Sequence, residues 1–60
     1  MKYPKATVAA CLRLTNNKRI GSWMHFKHNL MDLLGIPRDQ SMKWDVPADW
    51  QAAYKKMCGR

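Results

Sequence analysis

Apolar residues in the middle of the chain recur three or four positions apart, which is the spacing of one face of an α-helix. The residues that share this spacing are Trp23, Phe26, Leu30, Leu33 and Leu34. Ser22 precedes them as a residue that caps helix N-termini, and Gly35 with Pro37 follows them as a stop signal. The pattern therefore predicts a helix over residues 22–34.

This helix has an alternative start further back in the chain. Ile20 extends the same apolar stripe, so the helix can begin at Asn17 with that residue as its cap. The longer helix would contain Gly21, at a cost of about 1 kcal/mol relative to alanine.

The C-terminal part of the chain carries a second helical pattern. Pro47 suits a first helical turn, Asp49 complements the positive end of the helix, and Gly59 can end it. The residues that line one side are Trp50, Ala53, Tyr54 and Met57. We therefore predict a helix over residues 47–57.

The stretch between these two helices is less regular. Pro37 opens a segment through Lys43 that allows one or two helical turns. In this arrangement the side chains of Met42 and Trp44 point inward.

The N-terminal stretch fits two structures. Pro4 at a first turn and the alanines that follow predict a helix over residues 4–14. The alternation of apolar residues also allows a β-hairpin over residues 7–26 that turns at Asn16 and Asn17. The helix is favoured, because a two-stranded ribbon alone is only marginally stable.

Together these patterns predict an all-α fold, a compact bundle of three to four short helices with a helix-turn-helix-like arrangement. The alternative is an α+β fold that contains the N-terminal hairpin over residues 7–26. The 60 residues contain no internal repeat or linker-like segment, so residues 1–60 are expected to form a single small domain.

The charge of the chain limits the kinds of partner that we expect it to bind. Eleven Lys and Arg residues stand against four acidic ones, for a formal net charge of +7. Residues 1–20 contain basic side chains and no acidic one, so the N-terminal third is the most positive part. Such a field attracts phosphate backbones, acidic proteins or anionic lipids.

A membrane partner is the least favoured of these. Neither predicted helix pairs a basic polar face with a long apolar one. The longest apolar run, Val8 to Leu12, is far shorter than a membrane span, and the N-terminus lacks the apolar stretch of a secretory signal. We therefore expect a cytoplasmic protein.

Residues that carry catalytic chemistry are scattered. The acidic residues are all aspartates far apart, and no Ser-His-Asp cluster or glycine-rich phosphate loop occurs, so neither an enzyme nor a cofactor is expected. His25 and His28 supply only two metal ligands, too few for a metal site. Cys11 and Cys58 are expected as free thiols, one buried and one near the tail, with a disulfide between them as the alternative.

Polar and basic residues are concentrated between residues 12 and 23. If the second helix begins near Thr15 or Asn17, its start presents Asn16, Asn17, Lys18 and Arg19. Helix N-termini offer free N–H groups and a positive dipole end to phosphates, and Asn and Arg read adenine and guanine edges. The pattern is therefore that of a DNA-reading element.

Residues 8–23 resemble the helix-turn-helix of phage repressors and Cro-type regulators. The matching features are a small residue at Ala9 or Ala10, Leu12 and Leu14 facing inward, a polar cap at Thr15, and Ile20 with Trp23 as the buried side of the second helix. The segment departs from the family where the turn normally holds a glycine, because Arg13 and Leu14 stand there.

Residues 34–44 also look like a turn and recognition helix of that family. Gly35 stands in the turn, and Trp44 stands where a closing aromatic is found. In this frame Arg38, Asp39, Gln40 and Lys43 would enter a major groove.

The resemblance implies a non-enzymatic DNA-binding regulator of phage or mobile-element type, with a homodimer as one form that it allows. The residues expected at duplex DNA are Arg13, Asn16, Asn17, Lys18, Arg19, Arg38 and Lys43. The alternative is a small effector or inhibitor that docks on an acidic surface of a larger enzyme. A solvent-facing tryptophan in an apolar patch would favour the alternative.

Overall fold

Helices make up the regular structure of the residues that the structure describes. The structure is a computed structural model and describes residues 3–19 and 22–58. It contains α1 (Lys5–Asn16), α2 (Trp23–Leu34) and α3 (Ala48–Met57), with a 3₁₀ turn at Arg38–Gln40. Neither described range contains a β-strand. The all-α prediction is therefore confirmed, and the hairpin alternative is wrong because α1 and α2 occupy its residues.

Both ends of α2 are set by the residues that the sequence predicts. The Ser22 hydroxyl accepts a hydrogen bond from the backbone N–H of His25 at 3.5 Å. At the other end Gly35 adopts a φ of +77°, and the N–H of Ile36 donates to the Met31 carbonyl at 2.8 Å. Glycine takes this left-handed conformation without a steric cost, which explains the sharp end of the helix.

α1 ends with the same closure but without a glycine. The N–H of Arg19 donates to the Leu14 carbonyl at 2.9 Å, and the N–H of Lys18 donates to the Thr15 carbonyl at 3.1 Å. Lys18 itself takes the left-handed conformation, with φ +57°. The helix therefore continues to Asn16, two residues past its predicted end.

The core lies where α1 crosses α2, and α3 covers it. The buried apolar side chains are Ala10, Cys11, Leu14, Phe26, Leu30, Met31, Val46, Ala53, Tyr54 and Cys58. The small Ala10 allows a close crossing, and the side-chain amide of Asn29 donates to the Ala10 carbonyl at 3.5 Å. Leu12 was predicted to face inward but is exposed, because it lies about 100° around the helix from Cys11.

The buried face of α2 is turned slightly from the predicted stripe. Phe26 and Leu30 are fully buried as predicted, whereas Leu33 and Leu34 are exposed. Met31, which lies off the stripe, is fully buried instead. The face differs because α2 is covered on two sides, by the other helices and by the connection that follows it.

The connection from α2 to α3 folds back along α2. The Lys27 ammonium donates a hydrogen bond to the Ser41 carbonyl, which holds the connection against the helix. The helical turns predicted over residues 37–43 reduce to a single 3₁₀ turn. Trp44 packs against the core as predicted, but Met42 is 95% exposed, so its predicted inward orientation is wrong.

α3 matches the predicted helix over residues 47–57 to within one residue at its start. Of its predicted inner residues, Trp50, Ala53 and Tyr54 are buried or half-buried. Met57 is exposed, and Gly59 lies outside the described residues. The side-chain amide of Gln51 donates to the Val46 carbonyl at 2.8 Å and ties the helix to the connection before it.

The chain has a radius of gyration of 10.5 Å. A compact domain of this length is expected to have a value of roughly 10 Å. In the described part of the chain, no helix combines the length and the apolar character that crossing a membrane requires.

Candidate functional site

An exposed polar and basic turn lies at the C-terminal end of α1. We define the basic turn as Asn16, Asn17, Lys18 and Arg19, all of which are exposed. It contains two of the chain's cations and no acidic residue.

The basic turn lies at the end of α1, and its expected place at the start of the second helix is wrong. α2 begins only at Trp23, after the Ser22 cap. The alternative start near Asn17 depended on Ile20 and Gly21, which lie outside the described residues. Because the turn follows a helix C-terminus, cations there complement the negative end of the α1 dipole.

The backbone of the basic turn is already engaged. The N–H groups of residues 17–19 donate to carbonyls in the last turn of α1, at 2.9 to 3.1 Å. They are therefore not free to hold an anion, as the first N–H groups of a helix are. Any contact that this turn makes with a phosphate must come from its side chains.

Arg19 is positioned against α2. Its guanidinium Nη1 lies 3.3 Å from Nδ1 of His25. A guanidinium only donates hydrogen bonds, so Nδ1 is the acceptor in this contact. This contact fixes the direction of the Arg19 side chain and leaves its other N–H groups for a partner.

Arg13 belongs to the same surface. It is exposed and precedes Asn16 and Asn17 by three and four residues, so it lies on the same side of α1 as they do. The structure thus brings together Arg13 and the four residues of the basic turn, as the sequence predicts.

Arg38 and Lys43 lie apart from this group, on the connection between α2 and α3. Arg38 forms an ion pair with Asp32 through Nη2 and Oδ2 at 3.1 Å. His25 and Asp32 are seven residues apart on α2, so the anchor points of Arg19 and Arg38 are about 10 Å apart on one helix face. Because Arg38 is paired with a carboxylate, it offers less free charge than Arg19.

The recognition helix expected within residues 34–44 does not form. Only Arg38–Gln40 is helical there, as one 3₁₀ turn. The N–H groups of Lys43 and Trp44 both donate to the Gln40 carbonyl at 2.9 Å, which ends the turn. A three-residue turn is too short to lie along a major groove as a recognition helix does.

A groove opens between α2 and the connection that folds back along it. We call it the Trp23–Met42 groove, and its lining residues are Trp23, Met24, Lys27, His28, Ser41 and Met42. Its volume is about 330 Å³. Trp23 is 41% exposed and Met24 is 66% exposed, so the groove presents apolar surface to solvent.

Trp23 is held in the groove by its aromatic neighbours. Its ring lies edge-on to Tyr54 at a centroid distance of 5.0 Å and tilted against Phe26 at 5.6 Å. These contacts fix one side of the indole and leave the other side toward solvent. Such a half-buried tryptophan is typical of anchor residues in protein interfaces.

The exposed methionines of this groove were not predicted from the sequence. The sequence does not show which tryptophan faces solvent, and Trp44 and Trp50 are both half-buried against the core. Met24 lies one residue off the apolar stripe of α2, but so does the fully buried Met31, so this position does not by itself signal exposure. Met42 carries no such signal, because its position depends on how the connection folds.

The two cysteines meet in the core. Both are free thiols, and Cys58, which was expected near the tail, is buried like Cys11. Burial raises the pKa of Cys11, and a hydrogen bond from Cys58 lowers it in part. Burial, together with that hydrogen bond and the charge of Cys11, raises the pKa of Cys58 to about 12. Thiols with raised pKa values are poor nucleophiles at neutral pH.

Potential metal ligands are dispersed in the described ranges. Within residues 3–19 and 22–58, no three His, Cys or Asp side chains come together as a possible metal site. His25 instead accepts the hydrogen bond from Arg19.

Comparisons with protein-family models, with curated proteins and with solved structures found no match to this chain.

Proposed function

We propose that this chain is a non-enzymatic DNA-binding regulatory protein that binds the phosphate backbone of duplex DNA through Arg13 and the basic turn. The observation that carries the proposal is the grouping of these five exposed residues at one end of α1, without a carboxylate among them. Phosphate contacts from Lys and Arg supply most of the affinity of such proteins.

The conformation of Lys18 supports this role. Its φ of +57° belongs to the left-handed region, which costs a side-chain-bearing residue roughly 1–2 kcal/mol. A glycine at this position would close α1 with less strain. A lysine here places a charge at the tip of the turn at the expense of stability, as residues at functional sites do.

Asn16 and Asn17 supply the other half of the contact. Their exposed amides can donate to phosphate oxygens and can form paired hydrogen bonds with an adenine edge. In this arrangement a turn, rather than a recognition helix, approaches the bases. The regulatory role and a phage or mobile-element type depend only on the resemblance of residues 8–23 to phage repressors.

Binding to random-sequence duplex DNA tests the proposal. Fluorescence anisotropy of a labelled duplex, from about 50 mM to about 300 mM salt, should show micromolar binding. The logarithm of the binding constant should fall with the logarithm of salt with a slope of about −3 or steeper, because Arg13, Lys18 and Arg19 each release counterions. Absence of binding at the lowest salt would contradict the proposal.

A second function is supported by the Trp23–Met42 groove. A small effector that docks on an acidic protein surface needs an aromatic anchor beside positive charge. Trp23 supplies the anchor, and Lys27 lies in the same groove. This function uses a different surface from the basic turn, so the two proposals can be tested separately.

A further inference from the structure

The Trp23–Met42 groove has the size and chemistry of a docking site for a partner segment. Its volume of about 330 Å³ lies at the lower end of the range for ligand pockets, about 300–1,000 Å³. It is open along the surface between α2 and the connection, so a segment of a larger protein can insert one or two apolar side chains.

The side chains that line the groove differ in rigidity. Trp23 is fixed by Phe26 and Tyr54, whereas Met24 and Met42 extend into solvent, the latter 95% exposed. Methionine is unbranched and polarizable, and it adapts its shape to an inserted side chain. A rigid indole on α2, with one flexible thioether beside it and another on the connection, therefore suits an inserted leucine or phenylalanine.

The positive charge at the groove favours a bound segment that also carries acidic side chains. Lys27 lines the groove, Lys43 is exposed next to Met42, and no carboxylate is among the lining residues. The hydrogen bond from Lys27 to the Ser41 carbonyl holds its ammonium at the groove. That ammonium has further N–H groups with which to meet a carboxylate.

A second copy of the chain fits the groove poorly. Each chain carries a formal net charge of +7, so two copies repel each other. We infer that the Trp23–Met42 groove binds an amphipathic acidic segment of a partner protein, with an apolar side chain between Trp23 and Met42 and a carboxylate at Lys27. This inference deepens the second function proposed above and is independent of DNA binding.

Methionine methyl resonances of the intact chain report directly on the groove. The protein is labelled at its methionine methyl carbons and its backbone nitrogens and titrated with a peptide of about three helical turns, built from aspartate with leucine and phenylalanine at helical spacing. Saturable shifts of the Met24 and Met42 methyl signals are expected, with buried Met31 and the α3 residue Met57 little changed. Met42→Gln should weaken binding roughly fivefold, and Met57→Gln should leave it unchanged.

Three further probes separate the possible outcomes. A peptide with lysine in place of aspartate should not shift Met24 or Met42, and equal shifts would overturn the role of charge. Polyaspartate that shifts only the amides of residues 16–19 would support docking on an acidic surface but overturn the groove as its site. Selective shifts with an oligothymidine, or shifts that grow with protein concentration alone, would assign the groove to a nucleic acid or to a second copy and would also overturn the inference.

Discussion

Lys18 has a strained backbone conformation and also belongs to the proposed phosphate contact. It occupies the left-handed position that closes α1, while Gly35 occupies the equivalent position after α2. The glycine after α2 predicts the end of that helix from the sequence, whereas no glycine marks the end of α1. Asn17 tolerates the left-handed region better than lysine does, yet it has a φ of −91°.

Replacement of Lys18 by glycine should stabilise the fold. Lys18→Gly removes the steric cost of the left-handed conformation, so the free energy of unfolding should rise by about 1 kcal/mol. Urea denaturation followed by circular dichroism measures this change. Lys18→Ala removes the charge but keeps the strain, so it serves as the control and should give no gain. A glycine variant that is no more stable than the alanine variant would contradict the account.

Thr7 offers a second test at this scale. Its hydroxyl is fully buried and has no hydrogen-bond partner among the described residues. Thr7→Val keeps the shape and removes the unpaired hydroxyl, so the free energy of unfolding should rise by about 1 kcal/mol.

Thr15 supplies the matched control for this substitution. Its hydroxyl donates to the Cys11 carbonyl at 3.1 Å in the same helix, so Thr15→Val should bring no gain. Thermal denaturation of both variants makes the comparison. If Thr7→Val were destabilising, the hydroxyl of Thr7 would have to be satisfied.

At the scale of elements, the sequence predicts the helices and does not predict what connects them. α2 has both a cap and a stop signal, so its bounds follow from local chemistry. The connection after it depends on the hydrogen bonds from Lys27 to Ser41 and from Gln51 to Val46, which join residues far apart or in different elements. No local pattern encodes these contacts.

The candidate site was also predicted only in part from the sequence. The grouping of Arg13 with residues 16–19 follows from their proximity in sequence and was predicted. Their place at a helix end rather than a helix start was not predicted, because it depends on where α1 stops and on the Ser22 cap of α2. The separation of Arg38 from this group follows from its place beyond the C-terminal end of α2, whereas Arg19 contacts His25 in the first turn of that helix.

In the molecule as a whole, two free thiols from distant parts of the sequence lie together in the core. Cys11 in α1 and Cys58 after α3 lie in the same buried cluster as Phe26 and Tyr54. The N-terminal and C-terminal helices are thereby packed together without a disulfide. Ionisation of the buried thiols and of Tyr54 makes the stability of the fold depend on pH in alkaline solution.

Stability should fall steeply in alkaline solution. Burial, together with the hydrogen bond to Cys11 and the charge of Cys11, raises the pKa of Cys58 from 9.0 to about 12, so the folded state keeps this proton to a higher pH than the unfolded chain does. The resulting stabilisation is complete below pH 9 and is lost as the pH rises toward 12. Each such proton changes the free energy of unfolding by about 1.4 kcal/mol per pH unit in that window. Burial also raises the pKa of Tyr54, which acts in the same direction.

A serine variant isolates the thiol in this prediction. Cys58→Ser replaces the thiol by a hydroxyl that does not ionise in this range, so the free energy of unfolding of the variant should fall less steeply above pH 9. Denaturant unfolding under reducing conditions at a series of pH values makes the measurement. Parallel pH profiles for the variant and the unsubstituted chain would show that the thiol is not the linked group.

Phosphate binding by the basic turn is tested by the salt dependence of duplex binding for two double variants. Lys18→Asn with Arg19→Gln neutralises the turn, and asparagine tolerates the left-handed position. Lys5→Gln with Lys56→Gln removes the same charge at the opposite end of α1 and on α3, where both lysines are exposed.

The two variants have equal net charge, so only position distinguishes them. We expect the turn variant to bind more weakly and its salt slope to be smaller in magnitude by about two units, with the control close to the unsubstituted chain. Equal slopes for the two variants would contradict the account.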